Sequence, residues 1–515
     1  MATKIKPAGK FAIIILIGIV IALGVRMVPW KSISAKVAPQ GSGQSVGGLF
    51  SGESNSECVR IGVVTWGGYI GGQWFNRGFQ PNDNSEFKKQ YGICVEFKLI
   101  DDFNASREAF KADQIDGLWM TADAFPTEAA GLAQYETKML FQADWSRGGD
   151  AIIANRTIKT TSDLRGKKVA VAEGTPSHTL LSYVLEANGL SLNDIQVVKV
   201  PNAIDAAAAF KAGSVDAAVV WSPDDEDCLK NVQGSRVVVS TQDAKYIIAD
   251  GFIFKKKYIE ANGDKLKKFV EGWFKGSAEI NASDDVKKKA SQILATGLNI
   301  TPEAAYKAIN KVHLTTYGDN LNFFGINNDY KGVTGEALYN KMTGVYTKLN
   351  LTGGAVPQWR SIVDIAFLQS ISLDSKSADQ IAEGVATFKA PDASAKTAAA
   401  ITSKPVSISF ESGSSTLSED AKYIIDEKFI QEAKVFASNR IRIEGNTDNT
   451  GAKATNIKLS EARAKAVVGY LVNEHGFSAN RFVVKGNGPD QPICNESTPD
   501  CLAKNRRTDF KLLGE

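Results

Sequence analysis

Two stretches of this 515-residue chain are too poor in apolar residues to order themselves, and their positions decide what the rest can fold into. The first spans 34–57; in its second part, GSGQSVGGLFSGESNSE, ten of seventeen residues are Gly or Ser. The second spans 373–404, is rich in Ala, Ser and Lys, and carries no long apolar face. Neither composition buries enough surface to offset the entropy of ordering the chain, so both read as spacers. They leave an N-terminal piece at 1–33, a body at 58–372 and a C-terminal unit at 405–515.

The N-terminal piece carries Lys4, Lys6 and Lys10, followed by FAIIILIGIVIALGV, Phe11 to Val25, fifteen residues without a charge. With Arg26 snorkelling to the interface, the helix extends through Val28 and suffices for a short transmembrane anchor. A cleaved signal peptide competes with this reading, although only a weak small-x-small site near Ser34 and Ala35 follows. No cysteine follows closely, which excludes a lipoprotein. Arg26, Lys31 and Lys36 balance the leading lysines, so charge bias leaves the orientation open.

Overall, 43% apolar and 23% charged residues fit folded domains rather than a disordered chain. Sixty basic residues against 57 acidic ones give no one-sign field, which argues against a nucleic-acid partner. Of five cysteines, Cys58 and Cys94 stand at the starts of two expected neighbouring strands, and Cys494 and Cys501 bracket NESTPD. Two disulfides in an oxidising compartment, with Cys228 left over, are one reading; five reduced thiols are the other.

From Cys58 onward, short β-rich runs alternate with helical ones, which predicts an α/β body with mostly parallel sheets. Residues 244–260 read AKYIIADGFIFKKKYIE, and the chain is then mainly helical to about Ile371. Two strands, VSISF and RIRIEGN, are each followed by a helix, and RFVVKG follows the second, making the C-terminal unit α+β.

The body resembles the periplasmic substrate-binding proteins of the nitrate, sulfonate, taurine and thiamine-precursor transport group. The resemblance rests on TWGGY at 65–69, DWSRGGDAIIANRTIKTTSDLRGKKVAVAEGTPSH at 144–178, VPNAIDAAAAFKAGSVDAAVVWSP at 200–223 and ADGFIF at 249–254. It implies two α/β lobes joined by two crossovers, lobe 2 at about 156–244, with a small solute between them. Independently, EGTPSH follows a strand and opens a helix, so Thr175 and Ser177 stand either where free amides meet an anionic group or simply as helix caps. Trp66 and Trp221 end apolar strands, where open α/β sheets keep their ligand crevice, or are core aromatics. Asp123, Ser146, Asp150 and Asp250 fall in loops or at strand ends and are candidates for orienting a solute. These carboxylates argue against a bare anion and toward an amine-bearing or hydroxylated solute. Relatives of this fold that act in pyrimidine synthesis use a Cys- and His-rich stretch. The chain has only His178, His313 and His475, with no nearby Cys cluster, so neither enzymatic activity, a metal nor a cofactor is expected.

The C-terminal unit resembles the OmpA-like peptidoglycan-binding domain through ISFESGSSTLSEDA at 408–421, EGNTDNTG at 444–451, NIKLSEARAKAVVGYLVNEHG at 456–476 and NRR at 505–507. That resemblance implies a ligand, the diaminopimelate of a peptide stem, whose free end carries both an ammonium and a carboxylate. Asp448 matches the loop carboxylate and Arg463 the helix arginine, whose fork suits a carboxylate. Asn456 and the loop Thr447 to Gly451 match orienting positions, and Asn505 and Arg506 match the edge of the site; Arg507 is either there or a solvated charge. Ser460 is expected to cap the helix, with Ala464, Val467, Val468 and Leu471 on its buried face. Asn446 stands where the family usually has histidine, and cannot titrate near neutral pH. In a degenerate domain, Asp448 and Arg463 would simply pair with each other.

The predicted fold class is therefore a two-lobed α/β binding-protein-like body followed by an α+β OmpA-like domain, with an N-terminal transmembrane helix. The expected protein is an inner-membrane-anchored periplasmic one that grips peptidoglycan and takes a small solute. Two alternatives stay open: a scaffold subunit of a cell-envelope machine that docks other proteins, and a wall-tethered receptor for an ABC transporter. A proton-driven stator role has no support, since Phe11–Val25 holds no carboxylate.

Overall fold

Short β-branched runs become strands along the body. In chain order, β1 (Val59–Val63), β2 (Val95–Leu99), β3 (Gly117–Thr121) and β4 (Lys138–Ser146) build a first sheet. The chain then crosses to a second sheet made of β5 (Asp150–Ala154), β6 (Lys168–Ala172), β7 (Gln196–Val200), β8 (Ala217–Trp221) and β9 (Arg236–Ser240). It returns to the first sheet as β10 (Ala249–Phe254) and β11 (Val312–Leu314). The sheet orders are β11-β4-β10-β3-β1-β2 and β7-β6-β8-β5-β9. These strands belong to a computed structural model that describes residues 57–514 other than 385, 407, 409, 411 and 412. The expected membrane helix Phe11–Val25 and nearly all of the 34–57 spacer lie outside the described residues. Among those described, no helix is long and apolar enough to cross a membrane.

Two expectations change. The sheets are mixed rather than mostly parallel: β1 pairs in parallel with β2 and β3, but β10 runs antiparallel to β3 and β4. A strand arriving from the other lobe has no crossover helix to reverse its direction, and β5 likewise lies antiparallel to β8 and β9. The lobe boundary also precedes residue 156, because β5 already belongs to the second sheet. Only Arg147 to Gly149 separate it from β4, and Gly148, at φ +108°, makes that crossing.

The helix Lys256–Ala282 seals the first sheet. It buries Leu266, Phe269, Val270, Trp273 and Phe274, one face at helical spacing. Trp273 meets Phe252 and Phe141 at ring-centroid distances of 5.0 and 5.1 Å. Each buried ring contributes about 1.5–3 kcal/mol, which holds the strand ends above it in place.

The 373–404 segment is not a spacer throughout. Gly318 N donates to Gln380 O at 2.9 Å, Glu383 N to Asp319 Oδ1 at 2.7 Å, and Arg147 Nη2 to Glu383 Oε2 at 2.5 Å. Its last residues join β12 (Ala400–Val406). Composition missed this because backbone amides and carbonyls find partners however small the side chains are.

β12, β13 (Arg440–Asn446), β14 (Phe482–Gly488) and β15 (Thr508–Leu513) form the third sheet, ordered β12-β15-β13-β14. The helix Lys453–His475 covers it, burying Ala464, Val467 and Leu471, while Val468 is only half-buried. The helix starts earlier than expected, with Ala452 at the cap position, so Ser460 is no cap. Instead its Oγ donates to Ile457 O at 2.8 Å and accepts from Gly488 N at 3.0 Å, fastening helix to sheet. A Cβ on Gly445 would lie 2.1 Å from Ser460 O, so only glycine lets the helix sit this close.

Both cysteine pairs form, Cys58–Cys94 with Cα atoms 4.4 Å apart and Cys494–Cys501 at 5.4 Å. Cys228 stays a buried thiol, which burial pushes up to about 11.

Candidate functional site

Two sites emerge. The first is a crevice between the lobes, with a cavity volume of about 20 Å³, room for about one water. The first lobe contributes Trp66, Tyr69, Trp119, Thr121 and Asp250 to its lining; the second contributes Asp150, Pro176 and Trp221. Four predicted residues thus meet there: Trp66, Trp221, Asp150 and Asp250.

Trp66 Nε1 donates to both oxygens of Asp144, at 3.2 and 3.3 Å. A Cβ on Gly149 would lie 2.3 Å from the Trp66 ring, so the turn between the lobes is cut to fit the indole. The Tyr69 hydroxyl donates to Asp250 Oδ1 at 2.7 Å. Across the gap, Trp221 stacks on Phe103 at 6.0 Å, and Phe103 lies 5.1 Å from Trp119.

The other predicted solute residues do not line this crevice. Asp123 is fully buried behind it, Oδ1 accepting from Ala249 N at 3.4 Å. Ser146 lies at the lobe crossing, its hydroxyl 2.7 Å from that of Thr241. Thr175 occupies the cap position of the helix Pro176–Ala187, but its hydroxyl donates back to Ala172 O at 2.8 Å and caps nothing. Thr175 instead lines an adjoining pocket of about 400 Å³ beside Arg107 and Glu173, which shares Trp119, Thr121 and Pro176 with the crevice. The Ser177 hydroxyl is buried and makes no hydrogen bond, so neither reading of EGTPSH as a side-chain cap holds.

Charge is the main feature of the crevice. Burial pushes the Asp144 carboxyl up to about 8, with Asp150 adding repulsion, and pushes Asp123 and Asp150 up to about 7. Burial, then the charges of Asp144, Asp150 and Asp123, hold Asp250 well above the usual range despite its bond from Tyr69. Tyr69, Trp119 and Asp144 were missed from sequence. The signal for Asp144 was local, since it is the one acidic residue in a nine-residue strand buried along nearly its whole length.

The second site lies on the C-terminal sheet. Beyond β13 the loop places Asp448, whose Oδ1 accepts from Thr450 N at 3.0 Å and whose Oδ2 accepts from Arg506 Nη1 at 2.7 Å. Partial burial raises this carboxyl, but those two partners outweigh it and hold the group below the usual range. Arg463 is 6% exposed, donates Nε to Ser414 O at 3.0 Å and lies over the Phe410 ring at 4.9 Å. Burial lowers its pKa, as does the nearby charge of Arg506, against Asp448. Asp448 is thus bonded by Arg506 across the loop.

Thr447 donates its backbone N to Gly488 O at 2.9 Å and its hydroxyl to Asp448 O at 2.8 Å. Asn456 Nδ2 donates to Thr450 O at 2.9 Å, and Gly451, at φ +91°, makes the bend between them. The Asn505 amide accepts from Ile493 N and Cys494 N and donates to Cys494 O, holding the disulfide-closed insertion next to Arg506. Arg507 is not solvated; it is 7% exposed and gives Asp509 two bonds of 2.9 Å. Asn446 is 2% exposed, donates Nδ2 to Asp509 at 3.0 Å and accepts from Asn487 Nδ2 at 3.0 Å. It belongs to the interior of the sheet.

Known proteins match both parts. The OmpA family model matches residues 409–506, and the NMT1/THI5-like model matches residues 148–285. Outer membrane protein A of Bordetella avium is 36% identical over 105 residues, 20% of this chain and 53% of that protein. The putative aliphatic sulfonates-binding protein of Escherichia coli strain K12 is 30% identical over 171 residues, 31% of this chain and 51% of that protein. The chain thus spans about half the length of these two curated relatives. Among solved structures, the periplasmic aliphatic sulphonate binding protein SsuA of Escherichia coli aligns with a TM-score of 0.48 at 20% identity, covering 66% of this chain and 98% of that one. The middle of the chain resembles the periplasmic substrate-binding proteins, and its end resembles the OmpA-like peptidoglycan-binding domain.

Proposed function

We propose that this is a non-enzymatic envelope protein that grips peptidoglycan through its C-terminal domain and takes a small solute between the lobes of its body. The observation that carries it is the grouping of Asp448, Arg463 and Arg506 on one loop, one helix and one strand approach. A zwitterionic diaminopimelate end needs a carboxylate for its ammonium and a guanidinium for its carboxylate. Asp448 supplies the first and Arg463 the second, while Thr447, Gly451 and Asn456 shape the loop. The module bounds of this reading are 58–372 and 405–515.

Peptidoglycan lies outside the cytoplasmic membrane, so a wall-binding end sets the body in the periplasm. The apolar run Phe11–Val25 then serves as the inner-membrane anchor, and both disulfides fit that compartment. Purified sacculi test the reading: they retain the wild-type protein and release Arg463→Ala. Equal retention of the two sinks the charge-pair account. The small volume of the crevice favours a second reading, a scaffold whose lobes stay closed and dock other envelope proteins.

A further inference from the structure

We infer that the crevice takes an organic cation, an ammonium or alkylammonium compound that also carries an uncharged oxygen acceptor, rather than a sulfonate. This rests on reading the crevice as a solute site. Its walls are Trp66, Tyr69, Trp119 and Trp221, and its floor carries Asp150 and Asp250. Aromatic faces attract cations, most strongly where water is excluded, and a cation beside a buried carboxyl favours its ionised form. None of the described residues lining the crevice is basic.

The nearest guanidiniums are committed elsewhere. Arg107 gives Nε and Nη2 to Glu128 at 2.7 and 2.9 Å, and meets Trp119 at 4.4 Å from its ring centroid. Arg147 bonds Glu383 and Lys245 O. An entering anion would meet Asp150 and Asp250, with Asp144 one hydrogen bond away through Trp66, and no basic side chain in the lining to receive it.

A second observation is independent of these acids. Trp119 is 4% exposed, lines the crevice from β3, and its Nε1 has no hydrogen-bond partner. A buried N–H without an acceptor is costly, and an oxygen on the solute would supply one. Among the described residues, no group of three His, Cys, Asp or Glu side chains could hold a metal ion. The crevice as it stands holds about one water, so an organic cation enters it only as the lobes part.

Intrinsic tryptophan fluorescence of the full-length protein tests this, since three of the walls are indoles. The probes are choline chloride, tetramethylammonium chloride and putrescine dihydrochloride, with sodium isethionate and sodium chloride beside them. A saturable response to choline, stronger than to tetramethylammonium and weakened roughly ten-fold or more by both Asp250→Asn and Trp221→Ala, is expected. A response to isethionate with none to the cations overturns the cation inference and leaves the solute-binding reading standing. Silence toward every organic probe at millimolar concentration overturns both.

Discussion

Arg506 Nη1 donates to Asp448 Oδ2 across 2.7 Å, while Arg463, deeper in the fold, donates Nε to the Ser414 carbonyl at 3.0 Å. The loop carboxylate is thus held by the more exposed of two guanidiniums, the side chain of Arg506 being 44% accessible. An exposed pair of this kind is worth only about 0–1 kcal/mol, so an ammonium can displace it. Sacculus-retention assays should therefore separate the residues. Asp448→Asn and Arg463→Ala each lose roughly ten-fold or more, the scale of one charge-assisted hydrogen bond. Arg506→Ala loses less than about five-fold. Equal losses for all three would make Arg506 part of the grip.

Asn446 holds Asp509 and Asn487 together inside the sheet, so its substitution reads out in stability. Asn446→Ala removes one hydrogen bond from each, Asp509 keeping Arg507 and Asn487 keeping Glu444, and costs the C-terminal domain about 1–3 kcal/mol, measured by chemical denaturation. Sacculus retention of the folded variant is expected to match wild type. A loss of retention at unchanged stability would return Asn446 to the binding site.

The crevice carboxylates couple stability to pH. Asp123, Asp144 and Asp150 have folded pKa values of about 7, 8 and 7, above the unfolded value of 3.8. Between those limits the folded state holds more protons, so stability falls as pH rises from about 4 toward 8, then levels off. His178 opposes this with one group, because burial lowers its pKa and the unfolded chain takes up that proton first. Asp144→Asn removes one of the three. At pH 8 the Tm of the body is expected to rise by about 3 °C or more, as for ~1 kcal/mol in a domain of this size, with little change at pH 5. A lower Tm at pH 8 would show that the carboxylate is stabilising in its charged form.

The two disulfides differ in what they close. Cys58–Cys94 spans 36 residues and ties the starts of β1 and β2; Cys494–Cys501 spans seven. Loop-closure entropy assigns about 3–4 kcal/mol to the first and about 2–3 to the second. Replacing Cys58 and Cys94 by Ser is therefore expected to lower the unfolding free energy of the body, measured by chemical denaturation, more than replacing Cys494 and Cys501 lowers that of the C-terminal domain. Equal losses would overturn the entropic account.

Much of this was legible in the sequence. The alternation of strands and helices gave the class, and Trp66, Trp221, Asp150 and Asp250 do meet at one crevice. What failed was non-local. Tyr69 matters because it reaches Asp250, far along the chain, and no period or spacing encodes such a meeting; for Asp144 the local signal shows a buried acid but not its partner Trp66. Ser460 has the composition of a cap, yet the helix begins at Lys453 because the loop after β13 is already closed by Asp448 and Thr450. Asn505 matches the family position beside the site, and the insertion its amide also holds is one that only the fold brings near.

The hydroxyl contact between Ser146 and Thr241 joins the two places where the chain passes between lobes. Thr241 Oγ1 accepts from Gly148 N at 2.8 Å and from Asp150 N at 3.3 Å, so outgoing and returning strands share one knot. Two separate straps would let the lobes slide past each other. Straps tied at one point resist sliding and leave a swing about that point as the softest movement, with Asp150 beside the axis and Trp221, the residue paired with it across β5 and β8, carried on the moving wall.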